Sequence, residues 1–325
     1  MRNFKTLAFA GLTVTAAITF NGCVKQNSTP ANKNTAPATA SAAPEESVLT
    51  PAGYMPKSKV HFIEKGYQLN IDGGHYQKVE IATGKMVEDF GEVNPVNENI
   101  INIGKGSTTN GVVPAPSGWI TYASWSNDTT KGTPINLFNT SWVVPKAPIT
   151  DEGQTLFLFN GMQDGFTASS HILQPVMQWG PSAAGGGSYW SITNWYVGSS
   201  AFYGTLETVT TGTKLKGVMK VTGHSGKLFS YNSSFVGYPA ESALQVNHVP
   251  QMWWAAETLE TYGATKSTDY PATVFTKMNA IEIRTGPGQA TLNWIATKAF
   301  SSGSQNTVIV SNASPGGEVD IYYRK

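Results

Sequence analysis

Lys214-Leu215-Lys216-Gly217-Val218-Met219-Lys220-Val221 is the run that decides the fold. Lys214, Lys216 and Lys220 fall on one side of it, and Leu215, Met219 and Val221 on the other. A period of two is what an extended strand requires when one face is wet and the other packed. Similar runs lie outward from it: Thr140-Ser141-Trp142-Val143-Val144, Leu156-Phe157-Leu158-Phe159 and Ala280-Ile281-Glu282-Ile283. Turn residues separate them, as at Asn160-Gly161, Gly185-Gly186-Gly187, Pro287-Gly288 and Pro315-Gly316-Gly317. Further upstream, Tyr67-Gln68-Leu69-Asn70-Ile71 and Lys78-Val79-Glu80-Ile81 alternate in the same way, with Asp72-Gly73-Gly74 between them as a hairpin turn signal.

No long stretch carries a strong 3.6-residue period, and no internal repeat of solenoid or propeller length is present. The pattern predicts an all-β protein: two packed antiparallel sheets, a β-sandwich of the concanavalin or lectin-like jelly-roll kind. It spans residues 116–325, preceded by an N-terminal β segment or propeptide over 50–115.

Composition agrees. Charged residues are 13% of the 325, while glycine (33), tryptophan (9) and tyrosine (13) are plentiful. The formal net charge of +1 points to no nucleic-acid partner. Arg2 and Lys5 open the chain, and the apolar stretch Leu7 to Phe20 follows. That stretch is short for a bilayer span and fits a signal peptide over 1–22. Cys23 is the only cysteine, so a disulfide within the chain and a thiolate metal cluster are both excluded. It is either a free thiol or the acylated residue of a lipoprotein, since Gly22-Cys23 resembles a lipobox; Phe20 and Asn21 depart from the usual residues there. Residues 23–49, rich in Ala, Thr, Pro, Ser and Asn, are expected to be a disordered tether. The chain is thus expected outside the cell, held by lipid on Cys23 at the outer face of the membrane or secreted, and monomeric.

Most catalytic signatures are absent: no HExxH, no GxSxG and no P-loop. The five histidines (His61, His75, His171, His224, His248) lack metal-ligand spacing and are expected in turns or at the surface, so no metal or cofactor is expected. Two segments stand out. In Ile172-Leu173-Gln174-Pro175-Val176, a glutamine inside an apolar strand must find hydrogen-bond partners. In Trp253-Trp254-Ala255-Ala256-Glu257-Thr258-Leu259-Glu260, Glu257 shares a strand face with Trp253, Ala255 and Leu259. A carboxylate so placed is partly desolvated, which raises its pKa and suits it to proton transfer. A satisfied core glutamine and a rim glutamate are the plainer readings of the two.

The ordered series of segments resembles the glutamic peptidases (eqolisins), of which the chain would be a divergent, bacterial-type member. Thr140-Ser141-Trp142-Val143-Val144-Pro145 is similar to their early strand, and Phe159-Asn160-Gly161 falls where they carry a strand ending in Asp-Gly. Ile172-Leu173-Gln174 is similar to their Ile-Leu-Gln, Asn194-Trp195-Tyr196 to their Trp-Tyr-Glu, and Trp254 to Glu260 to the segment with their catalytic glutamate. The resemblance implies a metal-free acid endopeptidase acting on polypeptide. Glu257 would take a proton from the attacking water and return it to the leaving amine, and Gln174 would hold the oxyanion. Asn160, Trp179, Trp195, Tyr196 and Trp253 would bind substrate. It also implies a precursor whose residues 50–107 cover the cleft until they are released. Val197 stands where the family has a glutamate, Asn160 where it has an aspartate, and Phe157 or a neighbour where it has a cleft tryptophan, so the acidic network is thinned. The rival readings are a surface lipoprotein with no catalysis; a carbohydrate-binding sandwich stacking sugars on Trp179, Trp190, Trp195, Trp253 and Trp254; and a glycosidase, which needs paired carboxylates that a Gln174–Glu257 pair does not supply.

Overall fold

The computed structural model describes residues 45–93, 118–127, 133–166, 170–286, 288–299 and 303–324. The signal peptide, Cys23 and most of the expected tether lie outside them. The described residues belong to one compact unit.

The strands run in chain order as β1 (Ser47–Thr50), β2 (Gly53–Pro56), β3 (Val60–Phe62), β4 (Tyr67–Asp72), β5 (His75–Glu80), β6 (Met86–Glu92), β7 (Gly118–Ser126) and β8 (Ile135–Val143). Next come β9 (Thr155–Gln163), β10 (Ile172–Ser182), β11 (Gly185–Val197), β12 (Ala201–Tyr203), β13 (Glu207–Thr208), β14 (Lys214–Ser225) and β15 (Leu228–Phe235). The last are β16 (Leu244–Val249), β17 (Trp254–Tyr262), β18 (Phe275–Thr285), β19 (Gly288–Gln289), β20 (Ile295–Lys298), β21 (Asn306–Ser311) and β22 (Gly317–Tyr322). Helical structure among the described residues is limited to short 3-10 turns.

One sheet has the order β20-β7-β17-β9-β10-β11-β12-β3, with β13 beside β11. The other has the order β21-β22-β18-β8-β14-β15-β16-β4-β5-β6, with β19 beside β18. Pairing is antiparallel except where β3 joins β12 and β4 joins β16. This is the expected β-sandwich.

Its main core lies between the sheets. Leu158, Met162, Leu173 and Met177 of the first sheet meet Phe138, Trp142, Met219 and Tyr231 of the second. The sheets approach most closely at Gly217, where an added Cβ would stand 2.6 Å from Asn160 Oδ1, 2.7 Å from Pro175 and 3.0 Å from Trp142. A second apolar cluster lies on the opposite, outer face of the first sheet. There Phe157, Phe159, Ile172, Val176, Trp195, Trp254 and Ala256 pack under Leu49 and Met55 of the β1–β2 hairpin. Two covered faces explain why β9 is buried at every position and reads as a continuous apolar run, since no side of it is left to water.

The N-terminal segment is not a separate body. Strand β3 forms an edge of the first sheet, and β4–β6 extend the second. Ile63, Leu69, Tyr76 and Val79 are buried, the first three within the main core cluster. The structured chain also begins earlier than the tether reading placed it, with β1 starting at Ser47.

Candidate functional site

Register decides what can meet what. Strand β10 pairs with β9 as Leu173↔Met162 and Val176↔Phe159, without a shift between them, which sets Gln174 opposite Gly161. On its other side Gln174 lies opposite Trp195. Strand β17 pairs with β9 as Ala256↔Gly161 and Glu257↔Asn160. Ala256, Gly161, Gln174 and Trp195 therefore form one row on the outer face. Glu257, Asn160, Pro175 and Asn194 form the next row, on the face toward the second sheet. The contacts agree: Thr140 of β8 donates its hydroxyl to Glu257 Oε1 across the sandwich, and Asn160 stands against Gly217.

The expected Gln174–Glu257 pair is thus not assembled. The two side chains point to opposite faces because their positions across the ladders differ by one residue, and one residue turns a strand over. From β17, the side chain facing Gln174's row is the methyl of Ala256.

Each group has its own surroundings. Gln174 is 1% exposed, and its Oε1 has no partner among the described residues. Glu257 is fully buried, and burial lifts its pKa well above the carboxylate range, with the Thr140 hydroxyl pulling the other way. Both amide atoms of Asn160 are buried without partners among the described residues. Trp179 packs edge-on against Trp190 in the main core. Tyr196 stacks on His171 there, ring centroids 5.2 Å apart. Neither reaches the outer face. Trp195 does, tilted against Tyr203. Trp253 is half-buried and donates its indole N–H to the Asp164 carbonyl at 2.6 Å. Val197, standing where the resemblance calls for a glutamate, is buried in the outer cluster.

Two groups escaped the sequence reading. The first is Glu260, opposite Phe157 on β9 and so on the outer face. Its Oε1 accepts the Ala52 backbone N–H at 3.0 Å and the Tyr262 hydroxyl at 2.5 Å. Its Oε2 is buried and makes no hydrogen bond of full geometry among the described residues. Burial pushes its pKa up to about 7, against the hydrogen bonds from Tyr262, the Ala52 amide and Trp119. A signal for it was present: Glu257 and Glu260 are three apart, so a strand must send them to opposite faces.

The second is His171, expected at the surface but nearly sealed. Its Nδ1 lies 3.0 Å from Asp164 Oδ2, and its Nε2 3.1 Å from the Tyr76 hydroxyl. It pins the start of β10 to β5. Among the described residues no group of three or more His, Cys, Asp or Glu side chains could hold a metal ion.

No protein-family model and no curated sequence matches the chain. Solved structures similar to it include scytalido-glutamic peptidase with a peptide-based transition state analog, at 14% identity and a TM-score of 0.43. The same peptidase with a transition state analog inhibitor gives 12% and 0.41. SCP-B, a member of the Eqolisin family of peptidases in a complex with the tripeptide Ala-Ile-His, gives 12% and 0.40. In each case the match covers 64% of this chain and 98% of the other.

Proposed function

We propose that this chain binds extended polypeptide on the outer face of the first sheet and hydrolyses it there, as a divergent peptidase held outside the cell. One observation carries the reading: that face already holds a polypeptide. Strands β1 and β2 pair only with each other among the described strands, yet they lie on the sheet. Leu49 and Met55 fill the outer cluster. The Leu49 carbonyl accepts the Ala183 N–H at 2.8 Å, the Ala52 N–H reaches Glu260, and Tyr54 meets Tyr262 edge-on. Apolar anchoring together with main-chain hydrogen bonding is how a surface recognises an extended chain whatever its detailed sequence. The resemblance of Ile172-Leu173-Gln174 to the eqolisin motif adds support, because Gln174 lies on this face.

The carbohydrate reading gains no such support. Of its five tryptophans, Trp179, Trp190, Trp195 and Trp254 are buried and Trp253 is half-buried with its indole N–H tied to the Asp164 carbonyl, whereas stacking a sugar needs exposed rings.

The test is to incubate the full chain with a denatured protein from strongly acidic to mildly alkaline pH and to measure cleavage. Cleavage within that range, lost when the outer face is blocked, is expected; an uncut substrate throughout refutes the reading. Anchoring through lipid on Cys23 belongs to the same proposal. A mature N-terminus found elsewhere by mass spectrometry, with an unmodified thiol, would overturn it.

A further inference from the structure

We infer that Glu260, rather than Glu257, is the carboxylate that moves the proton in peptide hydrolysis on the outer face. The inference rests on the peptidase reading and deepens it. Three observations point to it. Glu260 is the β17 glutamate on the face that carries the bound hairpin, whereas Glu257 is enclosed between the sheets under Thr140. The group that Glu260 touches on that hairpin is a main-chain amide, the N–H of Ala52 in the turn between β1 and β2, so its carboxylate is already within reach of a peptide unit of the segment lying on this face. Tyr262 and the Ala52 amide both hold Oε1, whereas Oε2 makes no hydrogen bond of full geometry among the described residues, the Trp119 side chain being the further donor to the carboxylate. The less firmly held oxygen is the one arranged to accept a proton.

With a substrate strand in place of the hairpin, Glu260 Oε2 takes a proton from a water molecule as the water oxygen bonds to the scissile carbonyl carbon. The electron pair of the C=O π bond moves to oxygen. When it returns, the C–N bond breaks and the proton on Glu260 passes to the departing nitrogen. The products are one carboxylic acid and one amine, with no other reactant. The role asks for a group that is base in one half of the reaction and acid in the other, and a pKa of about 7 places both forms within reach near neutral pH. Tyr262 is a positioning residue, acting through Glu260.

The experiment compares the full chain with its Glu260→Gln, Glu257→Gln and Tyr262→Phe variants on one peptide substrate, with melting curves to show that each is folded. Glu260→Gln should lower kcat by about 10²-fold or more with KM little changed, the usual loss for a positioned acid or base. Glu257→Gln should stay within a few-fold of the parent. Tyr262→Phe removes a hydrogen bond that favours the ionised form, so the limb of its pH–kcat profile set by Glu260 should move to higher pH. Should Glu260→Gln misfold, Glu260→Asp keeps the carboxylate, and an unaltered kcat and pH profile in it would count against the assignment. An active parent whose Glu260→Gln variant is equally active overturns the inference alone. An active parent silenced only by Glu257→Gln returns the role to Glu257. A parent that cleaves nothing overturns the proposed function itself.

Discussion

Glu257 and Glu260 sit three residues apart on one strand and are both fully buried, so both resist ionisation. A glutamate whose folded pKa lies above its ordinary value of 4.5 stabilises the fold most below that pH, and loses this contribution as pH rises toward the folded value. For Glu260 the window runs from 4.5 to about 7, a shift of roughly 3 kcal/mol. Melting temperature should therefore fall between mildly acidic and neutral pH, and Glu260→Gln should flatten that fall while keeping the Ala52 and Tyr262 hydrogen bonds through its amide oxygen. Thermal unfolding of both proteins across that range checks it; identical slopes would mean the group is not strained in the fold. At this scale the sequence was legible in part. Apolar strand contexts identified Gln174 and Glu257 as unusual, and both are buried. Their mutual placement was not legible, because it depends on a register that runs through β9, a strand distant from either segment. The tryptophans show a related limit, since burial of Trp179 and Trp195 on opposite faces follows from parity along β10 and β11 and not from residue type.

Among the elements, local signals performed best. The alternating run at Lys214 became β14, and Asp72-Gly73-Gly74 joins β4 to β5 with both glycines at positive φ, +59° and +81°, where other residues are strained. The β1–β2 hairpin went unseen, because Ser47 to Pro56 mixes Pro, Gly and isolated apolar residues with no period long enough to register. Gly217 in β14 shows what an element contributes beyond its pattern. It is the point where β14 lets the first sheet in, against Asn160, Pro175 and Trp142. Pro175 and the Trp142 ring cannot retreat without disturbing the core, so Gly217→Ala overpacks the sandwich. The expected cost is about 1–3 kcal/mol, read as a lower midpoint in chemical denaturation with an unchanged slope. A neutral or stabilising result would mean that the sheets can slide apart at this point.

At the scale of the whole molecule, the open question is which part of the N-terminal segment can leave. Parallel joins between β3 and β12 and between β4 and β16 link residues far apart in the chain, and no local pattern announces them. They change the meaning of the segment. Releasing all of residues 50–107, as a precursor reading expects, would strip Ile63, Leu69 and Tyr76 from the main core, each a large side chain whose exposure costs about 1.5–3 kcal/mol. Against a typical net stability of about 5–15 kcal/mol, such a loss leaves little or nothing. The hairpin is different, since it gives up Leu49, Met55 and the partly buried Ala52 from the outer cluster, with the Leu49–Ala183 and Ala52–Glu260 hydrogen bonds, but no strand pairing to either sheet. A chain beginning at residue 59 should therefore fold, with a strand-dominated circular dichroism spectrum and a cooperative but lower melting transition. A chain beginning at residue 116 should be insoluble or melt without cooperativity. If the shorter chain instead folds cooperatively with the spectrum of the parent, β3–β6 are dispensable, and the covering segment is the whole N-terminal region and not its hairpin alone.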